Sequence, residues 1–297
     1  MNIFIAGIDG MIGAECKRIL QEDYTIIGST YESLDLMNYN DVYSFMKNKK
    51  IDIVVMAAAK VGGGHAIQKE PISFLEDNLL MQINLMKASR ELKIKKFIFI
   101  ASAAVYPAKI LNPICEEDLL KGALDNVQES YGLAKIVGIK QTEYSNLQFG
   151  TKYVTVIPAN VIANRDNGQV IYSLLKQMNE AKKNNQPSIT LWGSGQQRRE
   201  FIFIEDVAKA IKVIIQNYER LEHSIFNLGV QEDISISELA QMIKRITNYK
   251  GEIAFDTTKP EGVYQRLLNS DRIFNLGFKP STNLESAIVQ IQKQFES

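Results

Sequence analysis

Cysteine is scarce. Cys16 and Cys115 are the only two in 297 residues and neither belongs to a CxxC pair, so no disulfide framework is encoded and a reducing compartment fits. Histidine is equally scarce, with only His65 and His223, which argues against a multi-histidine zinc site or a histidine relay; no metal is expected. Net charge is missing as well. The 34 basic and 34 acidic side chains cancel, leaving no global field to draw in a nucleic acid or an anionic membrane surface. Long apolar runs are absent: those around 53–59 and 97–105 fall well short of the roughly 18 residues of a membrane span. The N-terminus lacks a basic segment and reaches Gly7 after a short apolar stretch, unlike a secretory signal. A cytoplasmic location is the expectation.

What is present is ordinary for a globular protein: 45% apolar and 23% charged residues, in a chain long enough for one large or two modest domains. Short β-branched runs at 2–6, 24–28, 51–57, 96–101 and 152–157 alternate with helix-like stretches at 11–22, 39–48, 71–92 and 129–149. That alternation predicts parallel βαβ units. The runs IDIVVMAA and KKFIFIAS are continuously apolar, as strands covered on both faces must be. The first half therefore reads as a doubly wound α/β sheet. Beyond Pro158 the pattern changes to helices at 169–183, 205–217, 235–248 and 284–295 around a short strand at 188–192. The expected organisation is a dinucleotide-binding domain over 1–160 and a smaller α+β substrate lobe over 161–297, some of whose segments return to the first domain.

Gly7, Gly10 and Gly13 directly follow the first strand and open a helix. Glycine there permits a tight turn and close approach of backbone N–H groups to a pyrophosphate, and the helix N-terminus favours the anion. The spacing is GxxGxxG rather than the commoner GxGxxG, yet its place in a βαβ series points to a dinucleotide. Which dinucleotide stays open at this level. The second strand ends in Ser29-Thr30-Tyr31-Glu32; Ser29 and Thr30 suit either a ribose hydroxyl or a 2′-phosphate, and Glu32 reads more readily as a solvated loop acid than as a ribose ligand.

Tyr131 and Lys135 form a YxxxK pair on a predicted helix, one turn apart on one face. An adjacent ammonium is expected to lower the phenol pKa towards the working range, which suits proton transfer at a carbon–oxygen centre. The pair gains meaning from Ser102 at the end of the fourth strand, because ligands of doubly wound sheets sit beyond the strands' carboxyl ends.

Serine, YxxxK and the N-terminal glycine turn together resemble the extended short-chain dehydrogenase/reductase superfamily. More closely, the chain resembles the GDP-L-fucose synthase family, the dual 3,5-epimerases and 4-reductases of GDP-4-keto-6-deoxymannose. The likeness is carried by Gly10-Met11-Ile12-Gly13, Ala57-Ala58-Ala59-Lys60-Val61-Gly62-Gly63, Ala134-Lys135-Ile136-Val137-Gly138, Leu191-Trp192-Gly193-Ser194-Gly195, Arg199-Glu200-Phe201 and Lys259-Pro260-Glu261-Gly262, and it runs almost end to end.

The resemblance implies a Rossmann fold with Ser102, Tyr131 and Lys135 as the reductase triad: Tyr131 gives a proton to the oxygen on sugar carbon 4, Lys135 binds the nicotinamide ribose, and Ser102 orients the ketone. It implies a cofactor site at Gly7, Gly10, Met11, Ile12, Gly13, Ser29, Thr30, Ala57, Ala58, Ala59, Tyr131, Lys135 and Pro158. A GDP-4-keto sugar would meet Ser102, Ala103, Asn160, Gln169, Trp192, Arg199, Lys259 and Arg266, the last four as candidates for aromatic packing and diphosphate neutralisation. For Trp192 the plainer alternative is core packing. It further implies a homodimer joined through 71–92 and 129–149.

Two departures from the family pattern matter. The fucose synthases carry a cysteine two residues after the triad serine and a histidine after the fifth strand, the pair credited with epimerisation; here Ala104 and the nearest counterpart Gln169 replace them. Neither side chain titrates. The expectation is a 4-reductase of a GDP-linked 6-deoxyhexose or heptose that does not epimerise. His65 is a conceivable substitute acid, though a surface histidine is the simpler reading. Asp9 and Ser29 or Tyr31 stand where the family has arginines near the 2′-phosphate, so NADP(H) is favoured over NAD(H) by resemblance while the pocket is less cationic. The rival readings are a bifunctional epimerase/reductase, a nucleotide-sugar 4-epimerase, a 4,6-dehydratase, for which Ala103-Ala104 supply no acid, and a non-catalytic dinucleotide sensor.

Overall fold

The computed structural model describes residues 1–164, 170–259 and 262–296. The first half alternates as its sequence predicts: β1 (Asn2–Ala6), α1 (Met11–Leu20), β2 (Thr25–Ser29), α2 (Tyr39–Lys47), β3 (Ile53–Met56), α3 (Gly64–Lys69), α4 (Pro71–Glu91), β4 (Lys96–Ile100), α5 (Glu129–Phe149) and β5 (Lys152–Pro158). Then come β6 (Asn160–Ile162), α6 (Val170–Lys183), β7 (Ser188–Trp192), β8 (Arg198–Phe203), α7 (Ile204–Gln216), β9 (Ile225–Leu228), β10 (Asp233–Ser235), α8 (Ile236–Thr247), β11 (Glu252–Asp256), β12 (Gln265–Arg266), α9 (Asp271–Asn275) and α10 (Leu284–Glu296).

Six parallel strands form the main sheet in the order β2-β1-β3-β4-β5-β9. All of β3 and all but the first residue of β4 are buried, which is why those runs are continuously apolar. The chain leaves β1 towards β2 and then returns to place β3 on β1's other side. This reversal opens a crevice at the carboxyl ends of β1 and β3. Ala6 is level with both Ser29 and Met56, so the segments starting at Gly7, Thr30 and Ala57 leave the sheet side by side.

Beyond β5 the structure holds more strands than the sequence pattern predicts. β8 pairs with β6, β10 and β12, and β7 pairs with β11. Strands of two to six residues are too short for a two-residue alternation to stand out. β9, which completes the main sheet, and α7, which packs on α1, both lie after residue 160.

Helix ends follow local chemistry. The Asn38 side chain accepts from the N–H groups of Asn40 and Asp41 at the start of α2. Ser235 and Glu238 make a reciprocal capping box on α8. Gly150 closes α5 at φ +57°, in the left-handed region that glycine adopts without steric penalty.

Candidate active site

The glycine turn is built for close approach. A Cβ on Gly7 would lie 2.9 Å from Ala58, and one on Gly13 would lie 2.0 Å from the Gly7 carbonyl oxygen. The turn therefore packs directly against the segment after β3, and α1 starts with its N-terminus at the crevice. Gly7, Gly10, Met11, Ile12, Ser29, Thr30, Ala57, Ala58 and Ala59 line a cleft of about 490 Å³ there. Gly13 lies beneath it, buried. This cradle fits a dinucleotide: backbone at the floor, a helix N-terminus for the pyrophosphate, and apolar walls from Leu34, Leu36 and Met81. Lys60, unmarked by the sequence pattern, is the one cation among the described residues lining this cleft. Its ammonium is held by Ser73, by Asp77 at 3.2 Å and by Glu70 at 3.4 Å. Tyr31 is 81% exposed, and Glu32 is exposed and does not line the cleft.

A second cleft of about 450 Å³ adjoins the first and shares Met11, Ile12 and Val61 with it. Ser102, Ala103, Tyr131, Pro158, Asn160, Trp192, Arg199 and Arg266 all line it. The sheet supplies Ser102 from the end of β4 and Pro158 from the end of β5, and α5 supplies Tyr131 from its first turn. Gly132 makes this meeting possible, because a Cβ there would lie 2.7 Å from the Ala104 carbonyl oxygen.

Ser102 caps a short 3-10 turn over 103–105, its hydroxyl accepting from the Ala104 N–H at 3.3 Å. Lys135 is buried at 2% exposure. Its ammonium donates to the Ile100 carbonyl at 3.0 Å and sits 5.8 Å from the Tyr131 ring centre. Burial pushes its pKa down to about 7. The Tyr131 phenol moves the opposite way to the sequence expectation: burial raises its pKa, and the hydrogen bond with Ser102 is what pulls against that rise. Desolvation disfavours the phenolate, and Lys135, itself desolvated, does not lower it. A phenol that stays protonated is a proton donor, which is the form a ketone reduction needs.

The segments after β5 contribute the remaining lining. Trp192 is 65% exposed, so it is no core residue, and the Lys259 ammonium stands 5.8 Å from its ring centre. Lys259 does not itself line the cleft. The Asn160 amide donates to the Glu200 carbonyl at 2.8 Å. Arg199 and Arg266 are register partners on β8 and β12, with Asp125 the acid nearest their charge. Each guanidinium has its pKa lowered by burial, that of Arg266 to about 10, so both stay charged at neutral pH. Two cations against one carboxylate leave positive charge in excess in a partly desolvated cleft, which suits a diphosphate. Gln197, unmarked by the sequence, also lines it and is 3% exposed, with its amide nitrogen unpartnered.

Ala104 is buried beside Ser102. His65 is exposed on α3 and does not line the cleft. Gln169 lies outside the described residues. Among the described residues lining this cleft there is no cysteine or histidine, and Asp125 is the one carboxylate. Glu200 is fully buried and accepts from the N–H groups of Val230, Gln231 and Leu268 at 2.7 to 2.9 Å. It knits β8 to the segments around β10 and β12 rather than facing substrate. Among the described residues no metal-binding cluster occurs and no helix is long and apolar enough to cross a membrane.

Residues 3–229 match the NAD dependent epimerase/dehydratase family. Among characterised relatives, the GDP-L-fucose synthase of Sinorhizobium fredii is 36% identical, over 100% of this chain and 96% of its own length. The GDP-L-colitose synthase of Yersinia pseudotuberculosis is 32% identical, over 99% and 98%. Among solved structures, a GDP-mannoheptose C4 reductase from Campylobacter jejuni with NADP bound superposes with a TM-score of 0.91 at 30% identity, covering 100% of this chain and 98% of that one. The chain belongs to the NAD dependent epimerase/dehydratase family, within its GDP-L-fucose synthase branch.

Proposed function

We propose that this protein is an NADPH-dependent reductase of the 4-keto group of a GDP-linked 6-deoxyhexose or heptose, and that it does not epimerise carbons 3 and 5. The observation that carries the reading is the meeting of Ser102 and Tyr131 in the wall of the second cleft, with the Lys135 ammonium buried behind them 5.8 Å from the Tyr131 ring centre, and alanine at 104 where an epimerase needs an acid or base. Relatives support the substrate class: they include GDP-L-fucose and GDP-L-colitose synthases and a GDP-mannoheptose C4 reductase. The NADP in that reductase's structure supports NADP(H) as the cofactor.

The cofactor supplies hydride when bound. Gly7, Gly10, Met11 and Ile12 would hold its pyrophosphate against the α1 N-terminus, Ser29 and Thr30 its adenosine ribose, and Ala57 to Ala59 the opposite wall. Lys135 would hold the nicotinamide ribose. Ser102 donates to the carbon-4 ketone oxygen and orients it, and Tyr131 delivers the proton that makes this oxygen a hydroxyl. Arg199 neutralises the diphosphate, with Lys259 at the rim, and Trp192 offers its exposed ring to the nucleotide.

The test is incubation with GDP-4-keto-6-deoxymannose in D2O without reductant, then with NADPH, reading the sugar by NMR. The expected outcome is no deuterium at carbon 3 or 5 and a new carbon-4 alcohol once NADPH is added. Deuterium at either carbon would restore the bifunctional reading. A panel of GDP-4-keto hexoses and heptoses identifies the sugar, and initial rates with NADPH against NADH the cofactor.

The reading places the enzyme in the cytoplasm, where nucleotide sugars for surface polysaccharide are made, and as a homodimer. Support for the dimer is an apolar strip of Leu80 and Ile83 on α4 and Leu133, Val137 and Tyr144 on α5, each 39 to 62% exposed, on helices packed against each other. A second copy laid on this strip would bury it; Val137→Glu is expected to halve the mass seen by sedimentation.

A further inference from the structure

Arg266 lines the substrate cleft, but its guanidinium is committed elsewhere. One nitrogen, Nη1, donates to three backbone carbonyls: Ala103 at 3.1 Å, Tyr106 at 3.0 Å and Pro107 at 3.5 Å. These carbonyls belong to the short turn that Ser102 caps and to the residues leaving it. The Ala103 carbonyl also accepts from the Tyr106 N–H at 3.2 Å, whereas the Tyr106 and Pro107 carbonyls lie past the end of the turn in a buried segment, where a donor from elsewhere is needed to satisfy them. Arg266 reaches them from β12 in the second lobe, beside Arg199 on β8.

We propose that Arg266 is a positioning residue for the reduction: it ties the nucleotide-sugar lobe to the loop that carries Ser102, and it is not a ligand of the diphosphate. This deepens the reductase reading and rests on it. β4 fixes the loop at its start, the capping hydrogen bond fixes Ser102 to Ala104, and Arg266 fixes the far end. Loss of the third restraint frees the turn to shift, and displacement of a catalytic hydroxyl by a fraction of an ångström weakens orientation of the ketone without removing any contact to the nucleotide. A guanidinium is planar, always charged and carries its N–H donors in a fixed arrangement, which holds neighbouring carbonyls in place; the compact ammonium of lysine matches this only in part.

The test is a comparison of wild type, Arg266→Lys and Arg266→Ala with the GDP-4-keto sugar that the panel identifies. For Arg266→Ala we expect kcat to fall about 10- to 100-fold, KM for the nucleotide sugar to stay within about threefold, and NADPH affinity by nicotinamide fluorescence to be unchanged. Arg266→Lys is expected to fall between wild type and Arg266→Ala, and guanidinium chloride at low millimolar concentration to restore part of the lost kcat in Arg266→Ala but none in Tyr131→Phe. A rise in KM of tenfold or more at unchanged kcat makes Arg266 a diphosphate ligand and overturns the proposal; so does unchanged kinetics. Should Arg266→Ala fail to fold, Arg266→Lys alone decides between the two patterns. If wild type reduces no GDP-4-keto sugar, the reductase reading fails. The tie is then tested by hydrogen exchange at residues 103–107 in Arg266→Lys: faster exchange than wild type supports it, and equal exchange overturns it.

Discussion

The Lys135 ammonium donates to the Ile100 carbonyl at 3.0 Å, so the last residue of β4 anchors the cation that stands beneath Tyr131. One strand end thus fixes two members of the triad, because Ser102 follows Ile100 by two residues. The anchor is a single neutral acceptor, and the charge is otherwise desolvated, which is why its pKa falls to about 7.

That depression has a stability consequence of definite sign. Lys135 titrates near 10.5 when unfolded and near 7 when folded. Between those values the unfolded chain binds more protons, so the residue's contribution to stability rises with pH. Its penalty is fully present below about pH 7 and gone above about 10.5. Lys135→Met is expected to abolish turnover yet stabilise the fold, by an upper bound on the order of 5 kcal/mol at pH 6, with the gain shrinking as pH rises to 10. Urea unfolding across that range checks it; a gain that grows with pH contradicts the assignment.

Tyr131→Phe is expected to cut kcat by about 10²- to 10⁴-fold, the usual worth of a positioned proton donor, with NADPH affinity retained. Because burial raises the phenol's pKa and Ser102 opposes the rise, any basic limb of the pH–rate profile that belongs to Tyr131 lies above the ordinary range near 10. Ser102→Ala removes the opposing hydrogen bond and moves that limb higher still. A limb that moves down on this substitution refutes the pairing.

Gly132→Ala places a Cβ 2.7 Å from the Ala104 carbonyl oxygen. That contact is backbone and cannot rotate away, so α5 and the Ser102 loop must separate. Turnover is expected to fall about tenfold or more, with Tm lowered by a few degrees. Gly150→Ala, where nothing lies within 4 Å but φ is +57°, is the control. It costs stability through backbone strain alone and leaves kcat as in wild type.

Trp192→Ala is expected to raise KM for the nucleotide sugar about tenfold, the scale of a lost aromatic stack at roughly 1–3 kcal/mol, with kcat unchanged. Its 65% exposure means little stability is at stake, and thermal unfolding is expected to match wild type. A fall in kcat at constant KM would remove Trp192 from the nucleotide site.

Much of this was written in local pattern. Uninterrupted apolar runs identify β3 and β4, because a strand covered on both faces has no polar side to alternate with. The glycine turn after β1 and the YxxxK pair are short-range signals whose meaning depends only on a neighbouring strand or one helical turn. The same locality explains what stayed hidden. β8 and β12 are defined by partners distant in the chain, and the commitment of Arg266 to carbonyls at 103, 106 and 107 has no trace in its own neighbourhood. Lys60 carried no mark beyond a shared string, since its place in the cofactor cleft follows from the reversal between β1 and β3.

The amino-acid sequence by itself determined the parallel α/β sheet, the glycine turn and the three residues proposed as the triad, each a matter of side-chain type at fixed local spacing. Only the tertiary structure decided the electrostatics of that triad. Spacing brings an ammonium near a phenol, but desolvation depends on everything packed around them, and here burial holds the phenol protonated and leaves Ser102, not Lys135, to pull against it.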